Sequence, residues 1–285
     1  MYMKLILYVK TIRPRHWLKN FAIFAAPFAS GSLLDSRYVG HLLLLFVVFC
    51  AASSTNYVIN DWIDKDFDSR HSQKSERPFA SRQIGARDLT FLLLTLVALQ
   101  TVIAYFLPLE VMVWVVIYLI FVISYSFYLK RIAVVELFVI GLGYLFRSLA
   151  GAQLVEAQPS PWFSLVIGFG ALFLVTNKRL AEIKYEESSS TRLVNSYYSP
   201  SFLKVFIACT LSVTLMSYSL WAFLDTESAL AQKVSVISFS MALVRYFWNC
   251  EYKNAEQPEI FLFSDKILVV LGMITFGLLW VSVYD

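Results

Sequence analysis

Long apolar runs alternate with shorter polar stretches along the whole chain of 285 residues. Nine of these runs come close to the length, about 20 residues, that a helix needs to cross a bilayer. The pattern therefore predicts an all-α, polytopic membrane protein with about nine transmembrane helices in a single domain over residues 1–285. The predicted spans lie at 18–34, 38–60, 88–107, 109–129, 133–154, 161–180, 202–224, 233–249 and 266–284.

The composition supports a membrane protein rather than a soluble one. Hydrophobic residues make up 58% of the chain and charged residues 15%, and the mean hydropathy is +0.63. Soluble domains carry about 25% charged residues. The first apolar stretch, 5–9, is followed too soon by Lys10 and Arg13 to be the core of a signal peptide. We expect this stretch to form a helix at the membrane interface.

Lysine and arginine are distributed unevenly over the predicted loops. Of the 24 Lys and Arg residues, only Arg37 and Lys233 fall in loops opposite the N-terminus, and Arg147 lies within a span. Because basic loops stay in the cytoplasm, the N-terminus and the loop after the second span are predicted to lie inside. The net charge of +4 reflects this bias, so it implies no nucleic-acid partner.

A group of carboxylates marks the end of the second span, where residues 60–68 read N-D-W-I-D-K-D-F-D. On a helix, Asp61, Asp64 and Asp68 share one face, and Asn60 lies beside them. Carboxylates this close repel one another unless a cation gathers them, and Mg²⁺ is bound by a few carboxylates together with waters and substrate phosphates. The motif predicts a Mg²⁺ site on all four residues, with the three aspartates as catalytic residues.

The alternative for this motif is a solvated, acidic helix end without a metal. A helix C-terminus already carries partial negative charge, so three further carboxylates on one face are unfavourable there without a counter-ion. Asp66 points away from that face and is expected to be solvated.

Cations that could bind phosphate follow the motif and recur at other predicted inner helix ends. For some of them an ordinary role is an open alternative: snorkelling for Lys19, interfacial anchoring for Tyr128 and Lys130, and a basic flank with a surface ion pair for Lys178 and Glu182, spaced i, i+4. The predicted substrate-binding residues of this group are Lys19, Arg70, Lys74, Arg77, Tyr128, Lys130, Lys178, Arg179 and Glu182.

Arg147 differs from these cations because it lies well inside the fifth predicted span. An ionisable group at that depth is costly and usually faces the bundle interior, a polar cavity or a partner. We therefore predict that Arg147 binds substrate. The alternative is a structural role, in which backbone carbonyls satisfy the guanidinium.

The aspartate motif resembles the first signature of the UbiA superfamily of intramembrane prenyltransferases, N-D-x-x-D-x-x-x-D. Asn60, Asp61, Asp64 and Asp68 match it fully. The wider superfamily carries a second motif, D-x-x-x-D, near the inner end of the sixth span. This chain has no aspartate at all between residues 88 and 225.

Within the superfamily, the chain is similar to the branch of decaprenyl-phosphate phosphoribosyltransferases. Glu136, where the branch has Asp, and Asn195, where Leu is usual, depart from its pattern. The resemblance also suggests that Arg192 and Tyr198 bind substrate. The likeness is carried by R-P-R-H-W-L-K-N at 13–20, Y-S-F-Y-L-K at 125–130, F-R-S-L-A-G at 146–151 and N-K-R-L-A-E at 177–182.

The resemblance implies a UbiA-type helical bundle with its active site on the cytoplasmic side of a bacterial inner membrane. It implies transfer of 5-phosphoribose from phosphoribosyl pyrophosphate to a polyprenyl phosphate lipid with Mg²⁺ as cofactor, and it leaves a homo-oligomer open. One alternative is a UbiA-type prenyltransferase that moves an isoprenyl chain from its diphosphate to an aromatic or lipid acceptor. Another is an anion transporter or channel, although transporter sites usually lie at the bilayer midplane and these charges do not.

Overall fold

The computed structural model describes residues 2–70, 74–185, 193–224, 229–252 and 264–284. Every regular element in these ranges is helical, which confirms the all-α prediction. Short 3₁₀ turns lie at Lys74–Glu76, Leu129–Arg131 and Leu193–Tyr197, and a longer 3₁₀ segment at Pro14–Phe24. The α-helices are α1 (Tyr2–Ile12), α2 (Ala25–Ala29), α3 (Ser36–Asp68), α4 (Ala86–Ala104), α5 (Leu109–Phe127), α6 (Val135–Leu154), α7 (Pro161–Tyr185), α8 (Pro200–Leu224), α9 (Leu230–Tyr252) and α10 (Lys266–Tyr284).

Seven helices in the described part of the chain, α3 to α8 and α10, are long and apolar enough to cross a membrane. The polytopic prediction is thus confirmed, whereas the number of nine spans is not. Helix α9 corresponds to the eighth predicted span and has the required length, but charged residues such as Lys233, Arg245 and Glu251 make it more polar than the other seven.

The first predicted span, 18–34, does not form one regular helix. The 3₁₀ segment Pro14–Phe24 runs directly into the five-residue helix α2, and the backbone then turns at Gly31 with a φ of 72°. That positive φ is accessible to glycine at no steric cost. Apolar composition alone could not reveal this break.

The contacts divide the chain into two compact units: residues 1–27, 32–139 and 143–158 form the first, and residues 28–31, 140–142 and 159–285 form the second. In the first unit, α3 is central and packs against α1, the 3₁₀ segment, α4 and α5. In the second unit, α8 packs against α7 and α9, and α9 packs against α10.

Helix α1 lies against the start of α4 and exposes apolar side chains such as Met3 and Leu5. The hydroxyl of Tyr8 and the ammonium of Lys4 donate to one carboxylate oxygen of Asp88, at 2.6 and 3.0 Å. The hydrogen bond to Asp88 raises the pKa of both Tyr8 and Lys4 above their ordinary values. The exposed apolar surface fits the expected position at a membrane interface.

Candidate active site

The aspartates of α3 accept hydrogen bonds from cations that lie outside this helix. Asp61 is buried, with 2% of its surface exposed, and its two carboxylate oxygens accept from Nη2 of Arg13 at 2.6 and 2.8 Å. Nη1 of Arg77 lies 3.2 Å from Asp61 and 2.6 Å from Asp68, which is also buried. Arg77 therefore bridges two carboxylates, as buried charges require opposite partners.

Asp64 and Asn60 share a third cation. Nζ of Lys130 lies 2.6 and 2.7 Å from the two carboxylate oxygens of Asp64 and 3.1 Å from Oδ1 of Asn60. Lys130 belongs to the 3₁₀ turn that follows α5. One turn earlier on α3, Oδ1 of Asn56 accepts a hydrogen bond from Ser126 at 2.8 Å. These two contacts fix the end of α5 against the acidic face of α3.

Arg13 is a site residue that the sequence interpretation missed. Its only sequence signal was its place at the start of the R-P-R-H-W-L-K-N stretch. The backbone of Arg13 is left-handed, with φ 54° and ψ 65°, which costs about 1–3 kcal/mol for a residue other than glycine. Its guanidinium carbon lies 5.3 Å from the ring centre of Tyr57. These contacts, together with the ion pair to Asp61, hold the strained backbone in place.

The acidic face was predicted to bind Mg²⁺ through its three aspartates and Asn60, and this metal site stays a prediction. Among the residues described, no group of three acidic, histidine or cysteine side chains is placed to hold a metal. Because like charges repel, each carboxylate lies against a fixed cation instead. Asp66 is exposed, as expected.

The donor atoms themselves suit a hard cation. Asn60, Asp61, Asp64 and Asp68 offer only oxygen atoms, which are the ligands that Mg²⁺ prefers. Three of these oxygens already surround a positive charge, the ammonium of Lys130. The donor set therefore fits Mg²⁺ in its chemistry, and the position between Asn60 and Asp64 accepts a cation.

Four other predicted binding residues of the first unit have partly or largely exposed side chains. Lys19 and Lys74 are half-buried, and Arg70 is exposed. Tyr128, which precedes the Lys130 turn, has 64% of its surface exposed. These side chains are accessible at the surface of the protein.

Arg147 is buried in the interior of the first unit and makes hydrogen bonds to four segments. Its Nε donates to Oδ1 of Asn20 at 2.7 Å, and Nη1 donates to the carbonyl of Gly143 at 2.6 Å. Its Nη2 donates to the hydroxyls of Tyr118 at 2.7 Å and Ser53 at 3.3 Å. This environment favours the structural alternative for Arg147, and its role in substrate binding stays a prediction.

We expect that Arg147→Met lowers the free energy of unfolding by about 3 kcal/mol, because the substitution leaves several buried polar groups without their partner. Thermal unfolding in detergent, followed by tryptophan fluorescence, measures this loss. Arg131→Met, which removes an exposed arginine, is the matched control and should unfold like the wild type. Unchanged stability of Arg147→Met, with weaker substrate binding alone, would instead support the predicted binding role.

In the second unit, the N-K-R-L-A-E stretch lies near the end of α7. Arg179 and Glu182 form an ion pair one helical turn apart, with 3% and 8% of their surfaces exposed. This burial corrects the alternative of a surface ion pair at Glu182. Spacing alone could not predict the ion pair of Arg179 and Glu182, because neighbours at i, i+3 and at i, i+4 both lie on one helix face. Lys178 is half-buried.

Two further predictions fall in the second unit. Tyr198 is buried and stacks on Phe202, with the ring centres 6.1 Å apart. Arg192 lies outside the described residues. In the same unit, the carboxylate of Glu251 accepts hydrogen bonds from Lys184 and Lys204, each at 2.8 Å. This contact joins the ends of α7, α8 and α9.

These helices and this site define a class: an all-helical membrane protein that presents an acidic helix face to fixed cations. Residues 21–281 match the UbiA prenyltransferase family, and the chain belongs to this family.

Curated relatives match nearly the whole chain. It is 30% identical to the decaprenyl-phosphate phosphoribosyltransferase of Mycolicibacterium smegmatis, over 97% of this chain and 92% of the relative. It is 33% identical to the decaprenyl-phosphate phosphoribosyltransferase of Mycobacterium tuberculosis, over 93% and 90% of the two chains. Among solved structures, a UbiA homologue from Archaeoglobus fulgidus bound to GPP and Mg²⁺ shares the fold, with a TM-score of 0.76 at 18% identity and 96% coverage of both chains.

Proposed function

We propose that this protein transfers 5-phosphoribose from phosphoribosyl pyrophosphate to a polyprenyl, decaprenyl-like phosphate and releases pyrophosphate. The mycobacterial relatives of that name, similar over nearly their full length, support the proposal. The observation that carries it is the face of α3 on which three aspartates meet three cationic side chains of the protein. Such a face is built to bind a polyanion together with a cation.

We also propose Mg²⁺ as the cofactor, held by Asn60, Asp61, Asp64 and Asp68. The oxygen donor set supports this assignment, as does the Mg²⁺ bound by the homologue from Archaeoglobus fulgidus. When bound, Mg²⁺ would supply neutralisation of the charge that builds up on the departing pyrophosphate.

The protein's own cations would bind and orient the donor. Arg77 and Lys130 lie at the acidic face, where they would also donate hydrogen bonds to phosphate oxygens. Lys74 and Arg70 lie close to Arg77 in the sequence. In the reaction, the bond between C1 of the ribose and the pyrophosphate oxygen breaks, and pyrophosphate keeps the electron pair. A new bond forms between C1 and an oxygen of the lipid phosphate. Since that phosphate is already ionised, no side chain needs to remove a proton.

The second unit supports phosphoribosyl rather than isoprenyl transfer. The second aspartate motif of the superfamily is replaced there by Lys178, Arg179 and Glu182. This replacement suits a donor that carries a phosphate in addition to its diphosphate, because cationic side chains can bind a phosphate group. We therefore propose that Lys178 and Arg179 bind a phosphate group.

The membrane position and domain organisation are part of the proposal. We propose that the whole chain acts as one transferase domain in a bacterial inner membrane, with the N-terminus and the active site facing the cytoplasm. The excess of lysine and arginine on the side of the N-terminus supports this orientation. The lipid chain would lie on the apolar helix surfaces that face the bilayer.

A radiochemical assay tests the function. Purified protein in detergent is incubated with labelled phosphoribosyl pyrophosphate, polyprenyl phosphate and Mg²⁺, and the label is extracted into an organic phase. We expect label in the organic phase only when the lipid phosphate is present. The amount of label should fall to background when EDTA removes the metal. Product formed only from isoprenyl diphosphate and an aromatic acid would establish prenyl transfer instead, and anion flux in liposomes without turnover would establish transport.

A further inference from the structure

Lys130 occupies the one position at the acidic face where a cation is surrounded by three oxygens of the described residues. Its ammonium contacts both carboxylate oxygens of Asp64 and the amide oxygen of Asn60, all within 3.1 Å. An ammonium group has three protons to donate, so these three oxygens satisfy it. Asn60 and Asp64 are thus already neutralised by a charge that belongs to the protein.

A metal ion and this ammonium would compete for the same oxygens. Mg²⁺ requires its oxygen ligands at about 2.0–2.1 Å in a nearly octahedral arrangement, and an ammonium 2.6 Å from Asp64 leaves no room for it there. Two cations this close would also repel each other strongly outside bulk water. Binding of one therefore requires departure of the other.

The side chain of Lys130 is 15% exposed, compared with 20% for Arg13 and 24% for Arg77, so what distinguishes it is its attachment and its partner. It lies in a short 3₁₀ turn between helices, on a flexible four-carbon stem. Its partner Asp64 has 28% of its side chain exposed, whereas Asp61 and Asp68, which hold the arginines, have 2% and 4%. Asp64 is therefore the most accessible of the three carboxylates, and its pair with Lys130 is the candidate for exchange.

We propose that Lys130 is an internal competitor for the metal position, which makes metal and pyrophosphate bind cooperatively. Its ammonium leaves Asn60 and Asp64 when the oxygens of a pyrophosphate group accept it, and the vacated oxygens then bind the metal. This inference rests on the proposed function, since it takes Asn60 and Asp64 as metal ligands and a pyrophosphate group as the anion. It follows that metal alone binds weakly, and that each ligand strengthens the binding of the other by the same factor.

Equilibrium dialysis of the full-length protein in detergent tests this proposal, with labelled Mn²⁺ as the probe and with or without inorganic pyrophosphate. Complexes of Mn²⁺ with free pyrophosphate are equal on both sides of the membrane, so the excess on the protein side reports the site. We expect Lys130→Met to bind Mn²⁺ alone about tenfold more tightly than the wild type. We also expect pyrophosphate to strengthen Mn²⁺ binding about tenfold in the wild type and much less in Lys130→Met.

Three variants separate the loss of competition from other effects. Arg131→Met removes the same charge from the same turn, where the side chain is exposed, and should behave like the wild type. Lys130→Arg keeps a cation and should keep weak binding of metal alone. Lys130→Gln removes the charge but keeps a polar side chain, so it repeats the comparison if Lys130→Met does not fold.

The outcomes distinguish this inference from the proposed function. Equal affinity for Mn²⁺ in the wild type and Lys130→Met, together with lost binding in Asp64→Asn, overturns the competition and leaves the metal site intact. Weaker pyrophosphate binding by Lys130→Met without any gain in Mn²⁺ affinity would make Lys130 a phosphate ligand only, and would likewise overturn it. Mn²⁺ binding that is absent throughout, or unchanged in Asp64→Asn, contradicts the proposed metal site itself.

Discussion

Replacing Asp64 by asparagine is expected to lower phosphoribosyl transfer by roughly a hundredfold to a thousandfold while the protein remains folded. The substitution removes one negative charge from the acidic face, and with it a strong ligand for a cation. Asp64 is the best of the three aspartates for this test because 28% of its side chain is exposed. Removing a buried partner such as Asp61 would take the carboxylate from Arg13 and one of two carboxylates from Arg77. We expect that loss to destabilise the protein by about 3–5 kcal/mol. Initial rates with labelled donor, compared with thermal unfolding, measure the effect.

Asp66→Asn is the matched control for this prediction. Asp66 lies two residues further along α3 and is exposed, and the helical period turns this position away from the acidic face. Its replacement makes the same chemical change and should alter the rate of transfer by less than about twofold. The reason is that solvent and salt screen the interaction of an exposed carboxylate with charges at the acidic face. If the two variants lost equal activity, or if Asp64→Asn kept full turnover, the acidic face would not be the active site.

Gly151→Ala is expected to lower the free energy of unfolding by about 3 kcal/mol or more, at the upper end of the cost of overpacking. A Cβ atom on Gly151 would stand 1.9 Å from the carbonyl oxygen of Ile23 and 3.3 Å from Cδ of Pro27. This clash with backbone atoms can be relieved only if the 3₁₀ segment and α6 move apart. Separation would also loosen the hydrogen bond of 2.7 Å between Arg147 and Asn20, so activity should fall together with stability.

Thermal unfolding of Gly40→Ala provides the comparison for Gly151→Ala. Gly40 is an exposed residue of α3, and nothing lies within 4 Å of the position of its Cβ. Within a helix, alanine is more stable than glycine by about 0.5–1 kcal/mol. Gly40→Ala should therefore be as stable as the wild type or more stable. Equal melting temperatures for the two variants would mean that α6 and the 3₁₀ segment do not approach each other closely at Gly151.

The helical architecture could be predicted from local pattern because a spanning helix satisfies its own backbone and needs only apolar residues of sufficient number. The predicted span 38–60 with its acidic continuation became one helix, α3. The expected difference between Asp66 and Asp68 followed from helical period, and one is exposed while the other is buried. The predicted span 18–34 does not form one regular helix, and its 3₁₀ segment lies close to Gly151, a residue far away in sequence.

The apolar runs and the aspartate motif are local features, so the sequence by itself determined the membrane class, the acidic helix face and the family. Only the tertiary structure decided which cation lies against which carboxylate. Arg13 pairs with Asp61 across 48 residues, and Lys130 pairs with Asp64 across 66. Such pairs depend on how separate helices pack, and no periodicity within one segment encodes that packing. The same long-range packing placed Arg147 among polar groups of the interior rather than beside the aspartates.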